Sequence, residues 1–296
     1  MDSTMKKLLA LAALALPLTS FAGEMALDLQ FDEDGKATPV TTYAHDWNEV
    51  FFSQVKYRSL SITEADASTT LSKSASTLNE QFVQLSLLGY KKEMGNVNLA
   101  VSGGLELIRI ERDEFGFGPI ATQTLVIDNQ VEITSTRALV TGELGYNSDS
   151  FSIKGSLDIK PAGSLSVKQD TSIEYTTSFS GGEDGSHSTD LAYGLKLDGV
   201  VKTGLGFDIG FGAEYGLLPL EYELATANET VTGFNTVSVK QDETTTRYSV
   251  RFILGKKTDM GRPMIGMTQE TLSIDSDGDT SEETINYLVL GFDKRF

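Results

Sequence analysis

Apolar and polar residues alternate along most of the chain beyond its N-terminal apolar segment. In the clearest run, residues 205–215 (LGFDIGFGAEY), every second residue is apolar or aromatic, and the residues between them are glycine or acidic. Similar alternation recurs at residues 97–107, 151–160, 191–198 and 247–254. Successive side chains of a strand point to opposite faces, so this period of two predicts strands with one apolar and one polar face.

Ten strands are predicted from this pattern, and the connections between them alternate between short and long. The predicted strands cover residues 48–63, 78–91, 97–112, 130–147, 151–175, 189–200, 204–225, 244–256, 263–275 and 284–296. The long connections are polar and mostly acidic, and they cover residues 64–77, 113–129, 176–188, 226–243 and 276–283. Short turns at one end and long loops at the other are typical of bacterial outer-membrane barrels.

The fold class that follows is all-β: a transmembrane, antiparallel up-and-down β-barrel of about ten strands. Residues 23–47 are an N-terminal segment that is either periplasmic or an extra hairpin, and residues 48–296 form the barrel. The extra hairpin would raise the strand count to twelve, and eight is the other alternative. An even count returns both chain ends to the same side of the membrane.

The first residues, 1–22, are predicted to be a secretory signal peptide. Lys6 and Lys7 precede an apolar run at residues 8–18, and the segment Ser20-Phe21-Ala22 has small residues where a signal peptidase requires them. The apolar run is too short for a transmembrane helix, which needs about 20 residues. The sequence therefore predicts export from the cytoplasm.

The end of the chain has the same alternation and stops at an aromatic residue. Leu288, Leu290 and Phe292 occupy alternate positions, and Phe296 is the last residue. Here the sequence resembles the outer-membrane β-barrel proteins of Gram-negative bacteria, whose last strand is amphipathic and ends in Phe. The resemblance implies an assembly signal at Leu290, Phe292 and Phe296, with the barrel-assembly machinery and outer-membrane lipids as partners. Lys294 departs from the pattern, because a hydrophobic residue is more usual there.

A soluble periplasmic β-sheet protein that binds a ligand is an alternative interpretation of the alternation. Such a protein would bury its apolar face between sheets and leave the polar face in water. The export signal, the alternation of short and long loops and the aromatic ends of the strands favour the membrane-barrel interpretation. The predicted location is therefore the outer membrane.

Basic and acidic residues both occur on the polar faces of the predicted strands. A narrow barrel is largely filled by side chains, and charges that leave water are costly unless they are paired. We therefore predict a lumenal ion-pair network in a plugged or very narrow barrel. Its members are Lys56, Arg58, Glu106, Arg137, Glu143, Lys154, Asp158, Lys160, Lys196, Asp198, Lys202, Asp208, Glu214, Arg247, Arg251 and Glu270.

The overall composition excludes several classes of function. The net charge of the chain is −18, which argues against nucleic-acid binding because phosphate contacts require patches of Lys and Arg. There is no cysteine, so disulfides and thiolate metal sites are absent. The binding partners that the composition does not exclude are a small solute and a surface ligand.

A calcium site is one candidate for chemistry in the loops. Asp275, Asp277 and Asp279 are spaced two apart around a glycine, and calcium takes several oxygen ligands in flexible geometry. The spacing does not match an EF-hand loop, so an ordinary acidic loop is the stronger interpretation. No other cofactor is predicted.

A hydrolytic site at the barrel rim is the second candidate. His187 is close in sequence to Glu183, Asp184 and Asp190, and such carboxylates can orient an imidazole as a general base. A solvated polar loop is the stronger interpretation. We therefore predict a barrel without enzymatic activity, acting as a structural or surface-interaction protein or as a narrow pore, with a rim hydrolase as the alternative.

Overall fold

The chain is built almost entirely of strands. A computed structural model describes residues 23–64, 73–120, 123–161, 163–174, 178–181, 184–230, 233–256, 258, 260–276 and 279–295. Within these residues no helix is long and apolar enough to cross a membrane. The strands are β1 (Gly23–Phe31), β2 (Ala37–Asp46), β3 (Phe51–Glu64), β4 (Lys73–Met94), β5 (Val97–Ile120), β6 (Gln123–Asn147), β7 (Phe151–Lys160), β8 (Ser164–Glu174), β9 (Ser178–Gly181), β10 (Asp184–Ser188), β11 (Ala192–Lys202), β12 (Asp208–Thr230), β13 (Gly233–Gly255), β14 (Arg262–Ser276) and β15 (Asp279–Arg295).

Twelve of the described strands form a closed antiparallel ring. Neighbours in the ring are β1 to β7 in chain order, followed by β11 to β15, and β1 closes the ring against β15. The predicted all-β antiparallel barrel is confirmed, with the alternative count of twelve in place of ten. The count of ten is too low because the N-terminal residues form the hairpin β1–β2, whose second strand pairs with β3.

Strands β8 to β10 lie outside the ring and form an upper hairpin, residues 164–188, between β7 and β11. The register of β7 with β11 (Lys160 opposite Ala192) continues unchanged into β8 and β10 (Ser164 opposite Ser188). One long hairpin is thus interrupted where Pro161, which lacks a backbone N–H, ends the lower segment. Strand β8 pairs with the upper part of β6, and β9 pairs with β8.

Several segments that were predicted as long loops are strands. Strand β5 runs to Ile120 and β6 begins at Gln123, and β12 and β13 are joined in the same way by a short connection after Thr230. The predicted loops at 113–129 and 226–243 are therefore wrong. Their sequences lack hydrophobic alternation, but backbone pairing with the neighbouring strand does not require it.

The lower part of the barrel, next to the chain termini and short turns, carries an apolar belt on its outside. The belt includes Leu99, Val101, Leu105, Val140, Leu144, Leu157, Leu195, Phe211, Val250, Phe252, Ile265, Met267, Leu288 and Leu290, all of them exposed. Aromatic rings lie at its lower edge, with centroids 5.9 Å apart for Phe51 and Tyr90 and 5.5 Å apart for Tyr146 and Phe151. Such a belt with an aromatic border faces lipid. The soluble alternative is wrong, because it requires these side chains to be packed between sheets.

The direction of the apolar face reverses part-way up the long strands. On β5, Leu105 and Leu107 point outward, whereas Ile108 and Ile110 are only 4% and 6% exposed and point into the lumen. Arg109, between them, is exposed on the outside. The strand therefore leaves the lipid near Leu107, and above this level its outer face meets water.

Above the belt the ring flattens into two facing sheets. One sheet contains β3 to β6 with β8 and β10, and the other contains β12 to β15, because β1, β2, β7 and β11 are too short to reach this level. Apolar side chains fill the space between the sheets: Leu60, Ile108, Ile110, Val131, Ile133, Leu165, Val167, Leu220, Tyr222, Leu272 and Tyr287. The sequence predicted polar residues along the whole interior, so this apolar upper core is a correction.

Replacing Val101 by Arg is expected to destabilise the folded barrel by about 2–4 kcal/mol, because the charge is placed in the middle of the belt. Asp113 is the matched position on the same outer face of β5 above the belt, where it is exposed. Asp113→Arg is expected to change the free energy of unfolding by less than about 0.5 kcal/mol. Urea titration of the protein in lipid vesicles measures both changes. Equal destabilisation by the two variants would contradict the position of the belt.

Candidate functional site

Among the described residues, two cavities bordered by charged side chains are stacked along the barrel axis. The lower cavity has a volume of about 490 Å³ and lies among the chain start and the short turns, where it is lined by Glu24, Lys91 and Asn147. The central cavity has a volume of about 240 Å³ and lies above it. Asp28, Asp198 and Arg251 line both cavities, so these side chains form the boundary between them.

A cluster of four charged side chains crosses the central lumen. The guanidinium of Arg247 on β13 donates two hydrogen bonds to Glu80 on β4, and its Nε lies 2.8 Å from Glu270 Oε1 on β14. Arg58 on β3 also pairs with Glu270. Both carboxylates are buried, and each is neutralised by a neighbouring guanidinium. The cluster links opposite parts of the ring by charge-assisted hydrogen bonds.

A second group of charges lies below this cluster. Arg251 donates to Asp28 at 3.1 Å and to Asp198 at 3.2 Å, and Lys196 lies 3.3 Å from Asp198. These contacts join β13 to β1 and β11 across the lumen. They hold the first strand of the ring to strands that come much later in the chain.

A third group connects β4, β5, β6 and β7. Lys160 lies 2.6 Å from the fully buried Glu106, and Gln84 donates to Asp158 at 3.1 Å. Thr141 also donates to Asp158, at 2.7 Å. The polar face of β7 is thereby fixed against its neighbours.

The remaining predicted network residues lie at separate places in the lumen. Lys154 lies 3.7 Å from Glu143 in the lower cavity, and Asp208 lies 3.7 Å from Arg262 near the lower turns. Lys56 and Glu214 line the central cavity.

Arg137, another predicted network residue, makes a hydrogen bond to the backbone in place of a salt bridge. Its guanidinium donates to the carbonyl of Pro219 on β12 at 2.7 Å and to the Ser135 hydroxyl at 3.3 Å. Strand β12 has a backbone partner on its β11 side only up to Leu217. Arg137 therefore binds a carbonyl just beyond the last β11–β12 pair.

The residues predicted from the sequence did not include three charged residues that complete these groups. Asp28, Glu80 and Arg262 each neutralise or share a charge with a predicted residue. All three lie on the polar face of an alternating strand, which was a usable signal. Asp28 was missed because the N-terminal segment had no definite place in the ring. Lys202, which was predicted to face inward, donates to the carbonyl of Ser148 at 2.7 Å and is exposed.

An apolar layer lies above the central cavity. Leu78, Phe82, Ile108, Ile110 and Leu218 line the cavity and belong to, or pack against, the upper core. The upper hairpin contributes two residues to this core, Leu165 and Val167, both of which are 0% exposed. The hairpin is thus part of the apolar core above the central cavity.

A polar triad, which was not predicted from the sequence, lies between the two upper sheets. Arg112 on β5 donates to Tyr222 on β12 at 3.1 Å and to Glu243 on β13 at 2.6 Å. Tyr222 donates in turn to Glu243 at 2.9 Å. A cavity of about 430 Å³ adjoins the triad and is lined by Ser281 and Glu283 on β15. The triad holds the sheets together above the apolar layer.

The two loop candidates gain no support as sites. His187 lies on β10, where its Nε2 is buried without a hydrogen-bond partner among the described residues. Asp275 is exposed near the end of β14, whereas Asp277 and the side chain of Asp279 lie outside the described part of the chain. Within that part no group of three His or carboxylate side chains could hold a metal ion. Calcium binding stays a prediction.

Two of the three predicted assembly-signal residues lie on the last strand as expected. Leu290 is exposed on the outside of β15, and it lies opposite Leu29 of β1. Phe292 lies two residues further on the same face, opposite Leu27. Phe296 lies outside the described residues. Recognition of this strand by the barrel-assembly machinery stays a prediction.

Comparison with known proteins gives similarity at the level of overall structure. No family model and no curated protein sequence matches the chain. The chain is similar to the Pseudomonas putida toluene transporter TodX, with 11% identity and a TM-score of 0.46 over 93% of this chain and 89% of that chain. The Ralstonia pickettii toluene transporter TbuX gives 8% identity and a TM-score of 0.47 over 93% and 89% of the two chains. The translocator domain of autotransporter NalP from Neisseria meningitidis gives 11% identity and a TM-score of 0.46 over 100% and 98%.

The closed wall of the barrel and its apolar outer surface indicate that the protein lies in a membrane. In hydrocarbon, backbone groups must be hydrogen-bonded internally, and a closed ring of strands meets this requirement. This ring is closed and carries an exposed apolar belt with an aromatic lower edge. The protein is an integral outer-membrane β-barrel.

Replacing Arg247 by Met is expected to destabilise the protein by about 3–5 kcal/mol, because Glu80 and Glu270 lose a guanidinium that both contact. Lys240→Met is the matched control, since Lys240 pairs with Glu221 and Asp242 on the exposed outer surface. The control is expected to leave the urea midpoint unchanged. A similar midpoint for both variants would show that the central cluster does not stabilise the barrel.

Proposed function

We propose that the protein is a narrow outer-membrane pore for small polar solutes, seen here in a closed conformation. The observation that carries the proposal is the order of layers along the axis. Two polar cavities follow one another from the lower end, and an apolar layer that includes the upper hairpin ends this path. A barrel that served only as a scaffold would not need a separate hairpin at that place.

In this proposal the upper hairpin moves away from the lumen while the closed ring of strands stays intact. All twelve ring strands remain paired in its absence, because β7 and β11 pair directly below it. Its main backbone attachment is the β8–β6 ladder, while its contact with β12 rests on side chains such as Leu165 and Val167. Movement of this one element would remove two apolar residues from the blocked level.

The polar character of the solute follows from the lining of the path. The central cavity is bordered by Lys56, Arg58, Lys160, Lys196, Arg247 and Arg251 and by Asp28, Glu80, Asp158, Asp198, Glu214 and Glu270. Ionic side chains of both signs stabilise hydrated or charged solutes and disfavour hydrocarbons. The proposal rests on this lining.

Replacing residues 164–188 by a short Gly-Ser linker is expected to convert a silent protein into a conducting one. The ring closes without the hairpin, and the apolar layer loses Leu165 and Val167. Planar lipid bilayers measure the result as discrete conductance steps. The milder double substitution of Leu165 and Val167 by Ser is expected to raise the open probability without altering the ring.

Two controls make this test decisive. A heat-dependent change in gel mobility shows that each variant still contains a folded barrel. Replacement of the β13–β14 turn residues 257–260 by the same linker leaves the hairpin in place and is expected to stay silent. Folded variants of the hairpin that remain silent at all voltages would refute the pore.

A second candidate, a surface-interaction protein, is favoured by the height of the long strands. Strands β4, β5, β6, β12 and β13 have 22 to 25 residues, whereas a membrane needs about 9–11. Above the belt their outer faces carry charged pairs, as between Lys240 and Glu221 at 2.9 Å. The upper sheets therefore form a water-exposed extension on which a partner could dock.

Cysteine labelling tests the position of this extension, and the absence of native cysteine keeps the background low. The variant Lys240→Cys is expected to react with a membrane-impermeant maleimide on intact cells. The variant Asn96→Cys, in the turn between β4 and β5, is expected to react only after the outer membrane is permeabilised. The reverse pattern would show that the extension faces the periplasm and would remove the basis for a surface role.

A further inference from the structure

The central cavity has the size of a small metabolite. Its volume of about 240 Å³ corresponds to roughly eight water molecules. It lies between the ion pairs of the lower lumen and the apolar layer above. A solute that enters from the lower end would stop here in the closed conformation.

Most charged side chains around this cavity form direct ion pairs, but two of opposite sign do not. Lys56 on β3 and Glu214 on β12 both line the cavity. Among the described residues neither side chain makes a hydrogen bond or a direct ion pair, whereas Arg58, Arg247 and Arg251 all pair with carboxylates. In the ring of twelve, β3 and β12 are six positions apart, so they lie opposite each other. The cavity thus presents an ammonium on one wall and a carboxylate on the other, each without a direct ion-pair partner in the described part of the chain.

Uncharged polar atoms in the same cavity also lack partners. Thr268 and Gln30 line it and are 5% and 8% exposed. Thr268 Oγ1 and Gln30 Oε1 are buried without a hydrogen-bond partner in the described structure. Buried polar atoms are nearly always hydrogen-bonded, so these two indicate water or a ligand in the cavity. The hydroxyl can donate to a carboxylate, and the amide oxygen can accept from an ammonium.

The upper surface of the cavity is apolar. Leu78, Phe82 and Leu218 line it at the level of the upper core. A ligand with a small hydrocarbon group could place that group against these side chains while its charged groups remain below.

We propose that the central cavity binds a small zwitterion of the α-amino-acid type, with its carboxylate at Lys56, its ammonium at Glu214 and an apolar side chain against Leu78 and Phe82. The inference deepens the proposed pore function and rests on it, since it names the class of solute that the pore would select. One ligand that spans the cavity gives a direct partner to each of two charges that form no direct ion pair among the described residues.

Titration calorimetry of the folded protein in detergent tests the inference with L-leucine as the probe. Two matched compounds each lack one charged group: 4-methylpentanoate has no ammonium, and 3-methylbutylamine has no carboxylate. Leucine is expected to bind about tenfold or more tightly than either compound. Lys56→Met and Glu214→Gln are each expected to weaken leucine binding by about tenfold or more.

Lys154→Met is the matched control for charge. It removes the same ammonium from the lumen, but Lys154 pairs with Glu143 in the lower cavity and does not line the central one. This variant is expected to bind leucine as the parent does. Equal weakening by Lys154→Met, equal binding of the singly charged compounds, or no binding of leucine at millimolar concentration would overturn the inference.

The binding test separates this inference from the pore itself, because calorimetry in detergent does not depend on conductance. A hairpin variant that conducts while the parent fails to bind leucine would overturn the zwitterion site and leave the pore standing. A protein that binds leucine through Lys56 and Glu214 but stays silent without its hairpin would refute the pore and retain the site.

Discussion

Backbone N–H and C=O groups in the hydrocarbon of a membrane have no water to bind, so every one of them must be hydrogen-bonded within the protein. Each strand in the lipid must be paired on both edges, so the sheet has to close, and here β1 closes it against β15. Closure gives the sheet an inside and an outside. It brings residues that are far apart in sequence, such as Asp28 and Arg251, within 3.1 Å of each other. The lumenal ion pairs are therefore a consequence of ring closure as well as a source of stability.

The long strands pass through two different solvents, and their side-chain pattern inverts where the solvent changes. In the lower half, apolar residues face lipid and charged residues fill the lumen. In the upper half, charged residues face water and apolar residues pack between two sheets. Strand β5 shows the change within one segment, because Leu107 is exposed outside and the next residue, Ile108, is buried inside. The lumen is polar below this level and blocked above it.

The wall of the barrel and the upper hairpin are separate elements. The ring and its ion pairs do not depend on the hairpin. The hairpin contributes to the apolar layer and is paired along β6, and Arg137 on that strand contacts β12 at Pro219. Polar cavities, an apolar barrier and a separable hairpin together favour a narrow, gated pore over a solid scaffold.

The fold class could be predicted from the sequence, because alternation with a period of two, an export signal and a C-terminal amphipathic strand are local features. Most lumenal charges could be predicted as well, since Glu106, Arg247 and Arg251 lie on the polar faces of alternating strands. The strand number became clear only from the folded barrel, because β1 and β2 are recognisable as part of the wall only through their pairing with β15 and β3. The same holds for the upper core and for the extent of β5, β6, β12 and β13. Alternation cannot show which face points inward, and above the membrane the apolar face is the inner one. Only the closed ring and its two solvents assign that direction.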